Sequence, residues 1–118
     1  MTISKKNIID FNDVYVHDFE LKNINIDYFN YKVKISLYCE LEGEKEFNFN
    51  SLNFFSISRL EPWGAGMYVS EIIAFTDYDK TGIDLEDGVI MDADIFMTEL
   101  LLNSGDKIRI LSKELQIL

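Results

Sequence analysis

The chain has 118 residues, 47% of them apolar and 14% aromatic, which supplies one hydrophobic core and a single domain spanning residues 1–118. Twenty-one acidic residues against 11 basic ones give a net charge of −10, and the single cysteine, Cys39, excludes a disulfide scaffold. Such a composition also excludes a disordered tail, a collagen-like chain and, through its acidity, a nucleic-acid binder.

In chain order, the opening Met1–Lys6 carries two lysines with no apolar run behind them, so no signal peptide of ordinary form is expected. No window approaches the length of a membrane span, and the lone thiol suits a reducing compartment, so a cytoplasmic location is expected with no membrane partner. Phe19, Leu21, Ile24, Ile26 and Tyr28 alternate with a one-residue slip at Lys22-Asn23, the signature of a bulged strand. Asp27-Tyr28-Phe29-Asn30 supplies a hairpin turn. Tyr31, Val33, Ile35, Leu37, Cys39 and Leu41 then fall on one face of a half-buried antiparallel strand. This face makes Cys39 an inert buried thiol.

A turn at Glu42-Gly43-Glu44 is followed by alternation through Phe47 and Phe49, and then by a separate aromatic run from Leu52 to Leu60. Pro62-Trp63-Gly64-Ala65-Gly66 breaks the pattern. Met67 to Thr76 is a nearly continuous apolar run, which predicts a central strand. Asp77 to Gly88 reads as a polar loop. The stretch from Asp94 to Leu102 fits a strand better than a helix, because the Asn103-Ser104-Gly105-Asp106 turn after it is hairpin-like. About eight short strands in all predict a mainly β fold, a single antiparallel β-sandwich or partly open barrel with at most one short helix. Val33, Ile35, Leu37, Ile73, Phe75, Ile108 and Ile110 are the expected core.

The charge is concentrated. Residues 61–106 hold eleven acids against Lys80 alone, whereas residues 1–60 hold nine acids and seven bases. Such a segment either solvates one face or attracts a basic protein. If it is a docking surface, Trp63 and Tyr68 are the natural apolar anchors beside Asp84, Glu86 and Asp87. Trp63, flanked by small residues, also suits a cap over one end of the core. A homo-oligomer formed through a sheet edge is the competing use of the surface.

Three features look chemical. Asp77-x-Asp79-x-Thr81 after an apolar strand resembles the first motif of haloacid-dehalogenase-type phosphatases, in which the first Asp is the nucleophile. That family needs a parallel doubly wound sheet, and this chain reads antiparallel with too few residues left to build one. The same stretch places Asp77, Asp79 and Thr81 like the first ligands of a calcium loop, but Gly88 stands where a bidentate Glu is needed. A small Ca²⁺- or Mg²⁺-binding domain on the Asp77–Glu86 loop is therefore the alternative reading, with Asp77 and Asp79 as the metal candidates. His17, beside Asp18, has no second His or spaced Cys to complete a zinc shell or a triad, and reads as a structural imidazole bonded to the backbone. No enzyme activity and no cofactor are called for.

Taken together, Val16-His17-Asp18, the Trp63-Gly64-Ala65-Gly66 corner and Ser104-Gly105-Asp106 leading into Ile108-x-Ile110 are similar to small uncharacterised bacterial β domains. Some of those are grouped with immunity proteins of contact-dependent and polymorphic toxin systems. The resemblance implies a non-enzymatic cytoplasmic protein that binds and blocks a partner, with no catalytic residues to carry over.

Overall fold

Strict alternation of apolar and polar residues drives the central hairpins. In β3 (Lys32–Cys39), Val33, Ile35 and Leu37 are buried, while Lys32, Lys34 and Tyr38 face out. The structure, a computed structural model, describes residues 1–76 and 94–118. In these residues the other strands are β1 (Thr2–Ser4), β2 (Glu20–Asp27), β4 (Gly43–Ile57), β5 (Val69–Phe75), β6 (Phe96–Leu102) and β7 (Lys107–Ile117). One short 3₁₀ helix, Lys5–Asp13, follows β1.

All seven strands belong to one antiparallel sheet in the order β2-β3-β4-β7-β6-β5, with β1 pairing the far end of β7. The chain is thus mainly β, as its patterning predicts. The sheet curls until its edges meet: Asp18 N–H donates to the Val69 carbonyl, Val69 N–H to Phe19 and Leu21 N–H to Met67, each at 2.8 Å. A bridge between Glu20 and Tyr68 completes this short seam, so the architecture is a partly open barrel.

The concave face holds the main core. Cross-strand rows such as Val33–Phe49–Leu115 and Ala74–Thr98–Ile110–Phe55 run across it. Ile3 of β1, Phe11 of the 3₁₀ helix and Val16 before β2 complete it. A second, smaller apolar row, Phe75–Met97–Leu111–Phe54, lies on the opposite face. Thr98 sits in the main core with 1% exposure, and its hydroxyl has no hydrogen-bond partner among the described residues. Removing that hydroxyl relieves an uncompensated desolvation cost. Thr98→Val is therefore expected to raise stability by about 1 kcal/mol in denaturant unfolding.

Several expectations are corrected. The run from Met67 to Thr76 forms an edge strand: among the described residues β5 has a ladder with β6 alone, beyond the short seam at Val69, and its alternate residues Glu71 and Ile73 are exposed. Ile73 therefore leaves the expected core, and Phe75 is half-buried in the smaller cluster. The Phe47–Phe49 and Leu52–Leu60 runs are largely one strand, β4, ending at Ile57. A left-handed residue, Ser51 (φ 55°), and a register shift between Leu52 and Phe54 change its phase. Among the described residues there are seven strands. The slip at Lys22-Asn23 is a register shift between Leu21 and Asn23, as the phase change predicts, and β6 is a strand. Tyr31 and Leu41, at the ends of the predicted β3 face, are exposed beyond the strand, and Cys39 is only half-buried.

Candidate functional site: the Trp63 corner

The turn between β6 and β7 is the foundation of the site. Asp106 is buried with 3% exposure, yet its carboxylate is crowded with donors. Ser58 Oγ (2.8 Å) and Leu60 N–H (2.7 Å) donate to Oδ1, Ser104 Oγ (2.8 Å) donates to Oδ2, and Glu61 N–H reaches both oxygens. One acid thereby fixes the chain leaving β4 onto the β6–β7 turn. The adjacent Trp63 N–H donates to the Ser104 carbonyl at 2.9 Å. Gly105, at φ 88°, lies under Pro62 and the Trp63 indole. A methyl group there would fall 2.7 Å from Pro62 Cγ and 2.9 Å from Trp63 Cδ2. The Trp63 corner and the Ser104-Gly105-Asp106 hairpin, some forty residues apart in the chain, are one knot.

Burial pushes the Asp106 carboxyl up, but the bonds from Ser104, Leu60, Ser58 and Glu61 outweigh it and hold the group below its ordinary value of 3.8. A carboxylate whose folded pKa is depressed contributes stability that is fully present above the unfolded value and is lost as pH falls through the folded one. Asp106→Asn places an amide NH₂ among N–H and O–H donors. The variant should melt lower at pH 7, and its melting temperature should fall less than that of the wild type between pH 7 and pH 3.

The knot continues to the barrel seam. Asn103 N–H donates to the Tyr68 carbonyl (2.8 Å), and the Asn103 side-chain oxygen accepts from Tyr68 N–H (3.2 Å). Gly66 lies against that side chain, where a Cβ would collide. Across the seam lies the third motif, with His17 Nδ1 3.1 Å from an Asp18 carboxylate oxygen. Asp18 sits in the left-handed region (φ 67°), which lets these sequence neighbours meet instead of pointing apart along a strand. His17 therefore has a carboxylate beside it and is half-exposed, not a backbone-bonded structural imidazole.

Trp63 is 68% exposed although its backbone is pinned, and Tyr68 is also exposed. Trp63 covers Gly105 of the turn rather than an end of the barrel core, a correction to its expected role as core cap. Beside the corner runs a cleft of about 370 Å³ between the β2 residues Leu21–Ile24 and the segment through Ile57, Arg59 and Met67, with Asp106 in its wall. The acids near the site are partly neutralised. Glu99 lies against Arg109 (3.0 Å) and Lys107 (3.8 Å), Glu20 against Lys22 (3.2 Å), and Glu61 3.8 Å from Arg59.

Of the anticipated partner-binding residues, Trp63 and Tyr68 are both exposed, and their backbones bond to adjacent residues of the β6–β7 turn, Ser104 and Asn103; Asp84, Glu86 and Asp87 lie outside the described residues. So do the metal candidates Asp77 and Asp79 and the loop that contains them. Among the described residues no group of three His, Cys, Asp or Glu side chains is placed to hold a metal, no helix is long and apolar enough to cross a membrane, and every strand pairing is antiparallel. In the sequence Asp106 stands out as one acid of residues 61–106 and as the last residue of a hairpin-like turn, and its burial among donors emerges only in the fold. Its signal was available: a Ser and an Asp flanking a glycine in a tight turn are groups that bind backbone N–H.

No protein family matches the sequence, and no curated protein matches it. Among solved structures, the chain is similar to the crystal structure of an uncharacterized protein from Neisseria gonorrhoeae. The two are 13% identical, with 99% of this chain and 96% of the other covered and a TM-score of 0.47.

Proposed function

We propose that the chain is a non-enzymatic binding protein that docks a basic partner protein at the Trp63 corner, in the manner of an immunity-type inhibitor working in the cytoplasm. The observation that carries this reading is Trp63 itself. Its backbone is bonded to Ser104 and its indole lies over Gly105, and yet the side chain is 68% exposed. A large aromatic held rigid in solvent loses little freedom when a partner covers it, which is how interface hot spots are built. Tyr68, exposed and bonded through its backbone to Asn103 of the same turn, supplies a second aromatic. The excess of acids in residues 61–106 supplies the sign of charge that would steer and select a basic partner.

Affinity capture from the native host tests this. One basic protein should be retained at low salt and released at high salt, because exposed charges are screened. Reversal of Asp84, Glu86 and Asp87 to Lys should abolish the capture. Retention that survives the triple reversal would make the acidic segment a solubility device only.

A further inference from the structure

The cleft beside the Trp63 corner opens onto the main core of the barrel. Leu21, Ile24 and Leu102 line it and also belong to or pack against that core, and Ile57 and Met67 stand exposed at its lips. Its walls are held in place before any ligand arrives. Leu21 N–H donates to the Met67 carbonyl at 2.8 Å, and the Asp106 carboxylate ties down Ser58, Leu60 and Glu61. The register shift between Leu21 and Asn23 lies in the β2 wall, a bulge of the kind found at barrel rims and beside binding sites. A volume of about 370 Å³ falls at the small end of the roughly 300–1,000 Å³ that ligand pockets span, and the mouth of a β-barrel is a common place for one.

The charges around this opening are matched, with one exception. Lys22 Nζ lies 3.2 Å from Glu20 and 5.6 Å from the centre of the Tyr38 ring. The Asp106 carboxylate is filled by Ser58, Leu60, Glu61 and Ser104. Arg59 differs. Its side chain is 88% exposed, and its neighbouring carboxylate, Glu61, stands 3.8 Å from Nε, too far for a hydrogen bond. Among the described residues its terminal nitrogens have no partner. A guanidinium offers a planar fork that takes a carboxylate through two parallel bonds. The net charge of −10 opposes any anion, so a ligand held here needs both the contact with Arg59 and burial of an apolar body. One cation in so acidic a chain also suits a singly charged carboxylate better than a phosphate.

We propose that the barrel mouth binds a small carboxylic acid with an apolar body. The carboxylate lies on the terminal nitrogens of Arg59, and the body covers Leu21, Ile24, Ile57, Met67 and Leu102. Trp63 and Tyr68 do not line the cleft, so the assignment stands apart from the docking of a partner protein.

Titration of the whole chain with octanoate, followed by backbone amide NMR, tests it. Residues 21–24, 57–59 and 66–67 should shift in a saturable way with a Kd below about 1 mM, which about ten non-hydrogen atoms allow. Arg59→Gln should raise that Kd about tenfold, the loss of a charged hydrogen-bonded contact. Glu61→Gln should lower it, because the competing carboxylate is gone. For 1-octanol, which has the same chain without the charge, Arg59→Gln should change nothing. Arg59 is exposed, so an unchanged melting temperature would show that its variant folds. No saturable shift up to about 10 mM octanoate, shifts centred elsewhere, or octanoate binding indifferent to Arg59→Gln overturns the proposal. So does octylamine binding more tightly than octanoate, which would make the cleft a cation site.

Discussion

Gly105→Ala should cost about 2–4 kcal/mol of stability, the sum of a left-handed backbone forced on a side chain and an overpacked contact. At this chain length the melting temperature should fall by on the order of 10 °C. The packing part arises because the new methyl meets Pro62 Cγ at 2.7 Å and Trp63 Cδ2 at 2.9 Å, both in ring systems with little room to yield. Gly64→Ala is the internal control. Its φ is 100°, but nothing lies within 4 Å of the added carbon, so only the backbone cost remains, about 1 kcal/mol. Calorimetry of the two variants separates backbone strain from the contact. Equal losses would mean that the indole does not rest on Gly105.

Trp63→Ala should do the reverse, with a small effect on folding and a large one on binding. Most of the side chain is already in water, so truncation removes chiefly its contact with Gly105. In a complex the ring would be covered, and losing such an anchor costs about 2 kcal/mol or more, roughly a thirtyfold rise in Kd. Titration calorimetry with the captured partner, alongside a melt of each variant, checks both halves. Tyr68→Ala should weaken binding in the same direction. A Trp63→Ala chain that melts far below the wild type but binds normally would make the corner purely structural.

Much of the architecture is legible in the residues because period-two alternation survives wherever one face is buried. Val33, Ile35 and Leu37 declare β3, and the phase slip at Lys22-Asn23 marks the bulge in β2. The misreadings have physical causes. Ser51 takes a left-handed conformation that a serine seldom adopts, so β4 reads as two strands. The apolar run at Val69–Phe75 suggests burial on both faces, but an edge strand can carry apolar residues outward, as Ile73 does. The 3₁₀ helix escapes because its start rests on Asn7, whose side chain accepts from Ser4 N–H at 2.7 Å, in place of the Glu or Gln of a capping box. Of the site, the three short motifs are visible one by one. Their convergence depends on pairings such as Asp18 to Val69 and Trp63 to Ser104, which link residues 41 to 51 positions apart and leave no periodic trace.

The most direct test of a binding role for the Trp63 corner is amide hydrogen exchange on the chain alone and with the captured partner. Exchange should slow across residues 61–68 and at His17 and Asp18 on complex formation, with little change at residues 28–31. Slowing confined to the β2–β3 tip, or absent throughout, would contradict the assignment of the corner as the docking surface.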